Sequence, residues 1–202
     1  MEKLNSKDLH SNIIYTFILG LLWGIFEILA VKFLVPNNLF LKGLILSGIA
    51  VFVLIISKRI IDYRFSLLVV AVIALMLIFA HRGFLSSVMI AIFTEALIAE
   101  IVLSFLKTKS KTAMLSGALI FTYSFTHGLL ICPGTLPDGY INYLLKQMFK
   151  EIFGNGTNVS IEMVIIFWGV FSLIAGVFSG WFSWIFSKNL NQKSINEMVT
   201  SI

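Results

Sequence analysis

The chain has 202 residues, 58% of them hydrophobic and only 12% charged, with a net charge of +5 at pH 7. Soluble domains carry about 25% charge, so this composition excludes an ordinary water-solvated fold and points to lipid as the solvent. The single cysteine, Cys132, excludes an internal disulfide, and the basic residues fall in short breaks between apolar runs, where they set topology rather than grip nucleic acid.

After a polar stretch from Met1 to Ser11, the first apolar run extends from Ile13 to Val35 and stops at Pro36, Asn37 and Asn38. It is too long for a signal-peptide core, and no small-residue cleavage site ends it, so it reads as a retained helix. The second run, Leu39 to Ser57, closes on Lys58 and Arg59. The third, Phe65 to Ala80, closes on His81, Arg82 and Gly83, and the fourth spans Phe84 to Leu106. The fifth, Ala113 to Cys132, stops at Pro133 and Gly134. A polar connection over 133–158 follows, in which Tyr140 to Phe153 sets apolar residues at helical spacing beside Lys146 and Lys150. That pattern predicts a helix lying in the membrane interface. The sixth run is Val159 to Ser187.

Runs of about 18 or more apolar residues can cross the hydrocarbon. Backbone groups in lipid need internal partners, and the runs lack the alternation of a barrel, so the spans are helices. The expected fold is therefore all-α: a multi-pass protein of the cell membrane with six transmembrane helices in one membrane domain. Lys58, Arg59, Arg64, Lys107, Lys109 and Lys111, together with both termini, fall on one side in this scheme. The positive-inside rule then places the N- and C-termini in the cytoplasm. No internal repeat of the kind found in inverted-repeat transporters is visible.

Ionisable side chains at membrane depth are candidates for function. Glu27, His81, Arg82 and His127 share roughly one depth near the outer face, with Asp138 just above and Glu95 near the middle of the fourth helix. Together they outline a polar pocket for a small solute. Trp23 is one turn from Glu27 and Tyr123 one turn from His127, where each would stack on a flat ligand ring. The same groups would equally serve as polar glue between helices, and for His127 alone a structural hydrogen bond is the simpler reading. Glu100 lies about 140° around the helix from Glu95, so the two form no tight carboxylate pair. Glu100 is expected instead to reach the loop bearing Lys107, Lys109 and Lys111.

Gly20 and Gly24 make a GxxxG step in the first helix, and Gly176 and Gly180 another in the sixth. Such steps let helices approach closely, within the chain or against a partner subunit. No Walker loop or HExxH is present, and three scattered histidines with one cysteine make no zinc site. No cofactor or metal is expected. The segment Gly176-Val177-Phe178-Ser179-Gly180 departs from the GxSG pattern of intramembrane serine proteases.

The size, six runs, basic pattern and small-residue step resemble the substrate-binding S components of energy-coupling factor (ECF) transporters. The segments Gly20 to Glu27 and Met89 to Glu100 are similar to stretches of uncharacterised proteins of that group. The resemblance implies a membrane-embedded subunit that captures a vitamin-like micronutrient at the outer face. Its partners would be a transmembrane coupling subunit, docked through Gly20 and Gly24, and ATPase subunits. Glu27, His81, Arg82, His127 and Asp138 would supply polar contacts, with Trp23 and Tyr123 stacking. Two other classes stay open: a structural or assembly protein without a solute, and an intramembrane acid-base enzyme using Glu27 or Glu95 with His127.

Overall fold

The computed structural model describes residues 6–33, 39–61, 63–84, 86–106, 108–135 and 160–188. Asp138 and the expected interfacial helix over 140–153 lie outside the described residues, as does the side chain of Arg82. Six helices follow in chain order: α1 (Ser6–Phe33), α2 (Leu39–Ile60), α3 (Ser66–Arg82), α4 (Ser86–Phe105), α5 (Ser110–Thr135) and α6 (Ile161–Lys188). Among the described residues, α1, α2, α4 and α6 are long and apolar enough to cross a membrane. The apolar part of α3, Ser66–His81, is shorter.

α2 is the hub. It packs against all five other helices, while α1, α3, α4, α5 and α6 succeed one another around it. Its sequence suits this position, because Ala50, Val51, Val53, Leu54, Ile55 and Ile56 are all buried, leaving no polar face between Ala50 and Ile56. The outer helices have the opposite character. α6 exposes Phe171, Ile174, Phe178 and Phe182, and α1 exposes Phe17, Leu22, Ile25 and Phe26. Such a continuous apolar surface is stable only against lipid or another protein.

Glycine sets the two closest crossings. Gly117 of α5 lies on Gly176 of α6, and Gly180 lies on Ala113, backbone against backbone. A β-carbon at any of these three glycines would run into the facing carbonyl. The sixth-helix step is thus used for packing inside the chain. Gly20 and Gly24 of α1 are likewise covered. A β-carbon at Gly20 would sit 2.7 Å from Ile73 Cβ, and one at Gly24 would sit 3.1 Å from the Ala74 carbonyl oxygen, both on α3. The docking role expected for Gly20 and Gly24 therefore has no free surface to use, because α3 already occupies it.

The end where α2 finishes and α3 begins is pinned by charges. Lys58 Nζ lies 2.9 Å from Glu100 Oε1. The same carboxylate accepts the Phe65 N–H at 3.1 Å and the Leu67 N–H at 3.0 Å, and the Ser104 hydroxyl donates to it as well. Glu100 thus caps the N-terminus of α3, where orphan N–H groups and the helix dipole favour an anion. It pairs with Lys58 rather than with the loop after α4 as expected from sequence, since its side chain points inward at α2 and α3. Phe65 has a left-handed backbone (φ 63°), which Glu100 holds in place through the Phe65 N–H. At the other end of α3, Gly83 (φ 73°) returns its N–H to the Phe79 carbonyl at 2.8 Å, a stop that favours glycine. Beside Lys58, Arg59 donates to the Trp184 carbonyl at 3.2 Å and to Ser187 Oγ at 3.1 Å, with its guanidinium 4.2 Å from the Trp184 ring centre. That cation tethers the C-terminal end of α6 to the hub, where the helix dipole is negative.

Candidate functional site

Because successive helices run in opposite directions, the last turns of α1 and α5 meet the first turns of α2 and α4. A cleft of about 240 Å³ opens there, at the end of the bundle away from the Lys58–Glu100 pair. Its polar wall is made by Glu27, Lys42, Ser87, Glu95, Ser124 and His127. Glu95 lies nine residues into α4, about 14 Å along the helix, so it forms the floor, while Lys42 and Ser87 sit at the rim. Both carboxyl side chains are buried, Glu27 at 5% and Glu95 at 4% exposure.

Each carboxyl has a distinct support. The Trp23 indole N–H donates to Glu27 Oε1 at 3.2 Å, one turn along α1. Glu95 has the hydroxyls of Ser47 and Ser124 beside it, from α2 and α5, and shares the cleft wall with Glu27. His127 bridges α5 to α4. Its Nε2 lies 3.1 Å from the Ser87 carbonyl oxygen, and its Nδ1 lies 3.3 Å from the Tyr123 hydroxyl. A carbonyl can only accept, so Nε2 carries a proton and donates it to Ser87.

The bundle therefore brings Glu27, Glu95 and His127 to one cavity, from three helices far apart in sequence. Trp23 and Tyr123 do not line it. Trp23 is fully buried behind Glu27, and Tyr123 stands behind His127 with ring centres 5.4 Å apart. Each spends its polar atom on the neighbour one turn away and so positions that neighbour, rather than offering a face to a ligand ring. His81 is exposed at the end of α3 and is not part of the cleft wall. Sequence reasoning missed Lys42, Ser47, Ser87 and Ser124. Lys42 was visible as a cation at the start of an apolar run, but serines are ordinary in membrane helices and give no signal of their own.

A smaller lobe of about 50 Å³ adjoins the cleft between α2, α5 and α6. It shares Gly43, Ser124 and Gly128 with the cleft and is walled by Phe121, Phe125, Trp168 and Ser172. Among the described residues, no group of three or more His, Cys, Asp or Glu is placed to hold a metal ion.

No protein-family model, curated protein or solved structure matches this chain. The architecture and the site together define an all-helical protein with membrane-spanning helices and an acidic cleft at one end of the bundle.

Proposed function

We propose that this chain is a six-span membrane protein with both termini in the cytoplasm, whose cleft captures a small solute from the outer face as the binding subunit of an uptake transporter. The observation that carries the reading is that two buried carboxyls, Glu27 and Glu95, line one cavity. Carboxyls removed from water are kept where they meet a ligand, a cation or a proton path. The acidic floor favours a solute with a cationic or hydrogen-bond-donating group, and the size of the cleft favours a compact one. Lysines and arginines gather at the opposite end, in the α2–α3 and α4–α5 turns and at the end of α6, which supports a cleft that opens outward.

His127 has a partner at each ring nitrogen, Ser87 and Tyr123, which supports a role in joining α4 to α5 at the cleft wall. The relationship to ECF S components rests on size, helix number and the side on which the cleft opens. A coupling subunit would have to use a surface other than Gly20 and Gly24. The exposed apolar faces of α1 and α6 offer such surfaces.

The test is to isolate the tagged protein from membranes in mild detergent, then identify retained small molecules and co-purifying subunits by mass spectrometry. The wild type is expected to retain a solute near one equivalent, and Glu95→Gln to retain at least about tenfold less, the loss of one charge-assisted hydrogen bond. Equal retention by both proteins, or none by either, would remove the reading.

A further inference from the structure

Resting on the binding reading above, we propose that the solute is an amphipathic amine. Its cationic head meets Glu95 and Glu27, and a short apolar tail turns through the gap between Gly43 and Gly128 into the aromatic lobe. Three observations converge on this. The two cavities share three wall residues, Gly43, Ser124 and Gly128, so they are two arms of one space. The arms differ in chemistry: carboxyls and hydroxyls line the cleft, whereas Phe121, Phe125 and Trp168 surround the lobe. The shared glycines are unlike those of the helix crossings, because a β-carbon built on Gly43 or Gly128 would meet nothing within 4 Å. Helix packing therefore does not require glycine at either place. Glycine inside a helix is destabilising relative to alanine, and leaving space for something that passes between the helices is a reason to keep it.

The lobe also holds a polar atom in need of a partner. Ser172 is 1% exposed, lines the lobe, and its hydroxyl has no hydrogen-bond partner among the described residues. A buried hydroxyl left unpaired is unfavourable, so a tail bearing one acceptor or donor near its end would gain from reaching it. Lys42 lines the cleft and not the lobe, and adds a cation there. It disfavours a second positive charge on the head and leaves the tail as the part that enters the lobe.

The experiment measures binding of straight-chain primary amines, ethylamine to hexylamine, to the protein in lipid nanodiscs by calorimetry. Empty nanodiscs are titrated alongside to subtract partitioning. Alcohols of the same lengths serve as neutral controls. Affinity for the amines is expected to rise about threefold to fourfold per methylene until the lobe is full, and then to level or fall. The alcohols are expected to bind at least tenfold more weakly. Gly128→Leu and Gly43→Leu, which add bulk at the shared wall of the two arms, are expected to abolish the chain-length dependence. Ethylamine binding with no length dependence in the wild type would overturn the two-arm proposal and leave the cleft reading intact. So would length dependence that survives both leucine variants. If no amine binds and solute retention is unchanged by Glu95→Gln, the cleft reading falls and this proposal falls with it.

Discussion

Three carboxyl side chains are buried among the described residues, and their surroundings divide them into two kinds. Glu100 is satisfied on every side, by an ammonium, two backbone N–H groups and a hydroxyl. Glu27, which accepts the Trp23 indole N–H, and Glu95, beside Ser47 and Ser124, also line a cavity. The first arrangement is structural, because removing either partner strands a buried charge. Glu100→Ala is expected to destabilise the protein by about 3 kcal/mol, measured by unfolding in mixed micelles. Lys58→Ala is expected to be milder, since the carboxylate would keep Phe65, Leu67 and Ser104. The reverse order would mean that the ion pair, not the cap on α3, holds this end together. The sequence exposed Glu27, Glu95 and His127 by depth alone, since a charge inside an apolar run stands out. It could not show which partners each carboxyl meets. Lys58 is 42 residues from Glu100, and the pairing depends on α2, α3 and α4 meeting at one end. Nor could spacing distinguish a ring that faces a ligand from one that supports its neighbour. Trp23 and Tyr123 sit one turn from Glu27 and His127 in either case.

The helices themselves were legible because lipid makes the rule simple: an apolar run of sufficient length becomes a helix, and its ends fall where charge, proline or glycine begins. The run expected over Phe65 to Ala80 emerged as α3 (Ser66–Arg82), and that over Phe84 to Leu106 as α4 (Ser86–Phe105). The neighbours of each helix were not legible. Hydrophobicity on all sides marks both a lipid-facing helix and a central one, so the role of α2 as hub had to come from packing. Glycines show the same limit. Gly20, Gly24, Gly117, Gly176 and Gly180 are held against other helices, whereas Gly43 and Gly128 face open space, and all seven look alike in sequence. Alanine substitution separates them. Gly117→Ala and Gly176→Ala set a β-carbon against backbone that cannot rotate away, and each is expected to lower stability by about 3 kcal/mol. Gly43→Ala and Gly128→Ala are expected to be neutral or to raise stability by up to about 1 kcal/mol through helix propensity. Melting temperatures of the four variants in one detergent check the contrast. Equal loss at all four positions would show that the gap between α2 and α5 closes in the membrane.

At the scale of the whole molecule, most of the described lysines and arginines lie at the end opposite the cleft. Lys58, Arg59, Lys109, Lys111 and Lys188 lie where α2, α4 and α6 finish and α3 and α5 begin, and the cleft lies at the other end. The belt between them is apolar on its outer side, from Phe17 of α1 to Phe182 of α6. In the topology proposed above, with the short basic loops on the cytoplasmic side, the cleft opens outward. Single cysteines introduced on a Cys132→Ser background read that direction out. A membrane-impermeant maleimide added to intact cells is expected to label His81→Cys and Glu162→Cys, both exposed at the cleft end. Lys109→Cys and Lys188→Cys, exposed at the basic end, are expected to react only after permeabilisation. The direction decides function. An outward cleft can sample a dilute external solute before any partner acts, so its buried carboxyls set the affinity of uptake. An inward cleft would meet the cytoplasmic pool first, and the reversed labelling pattern would turn the same residues into a site for export or sensing.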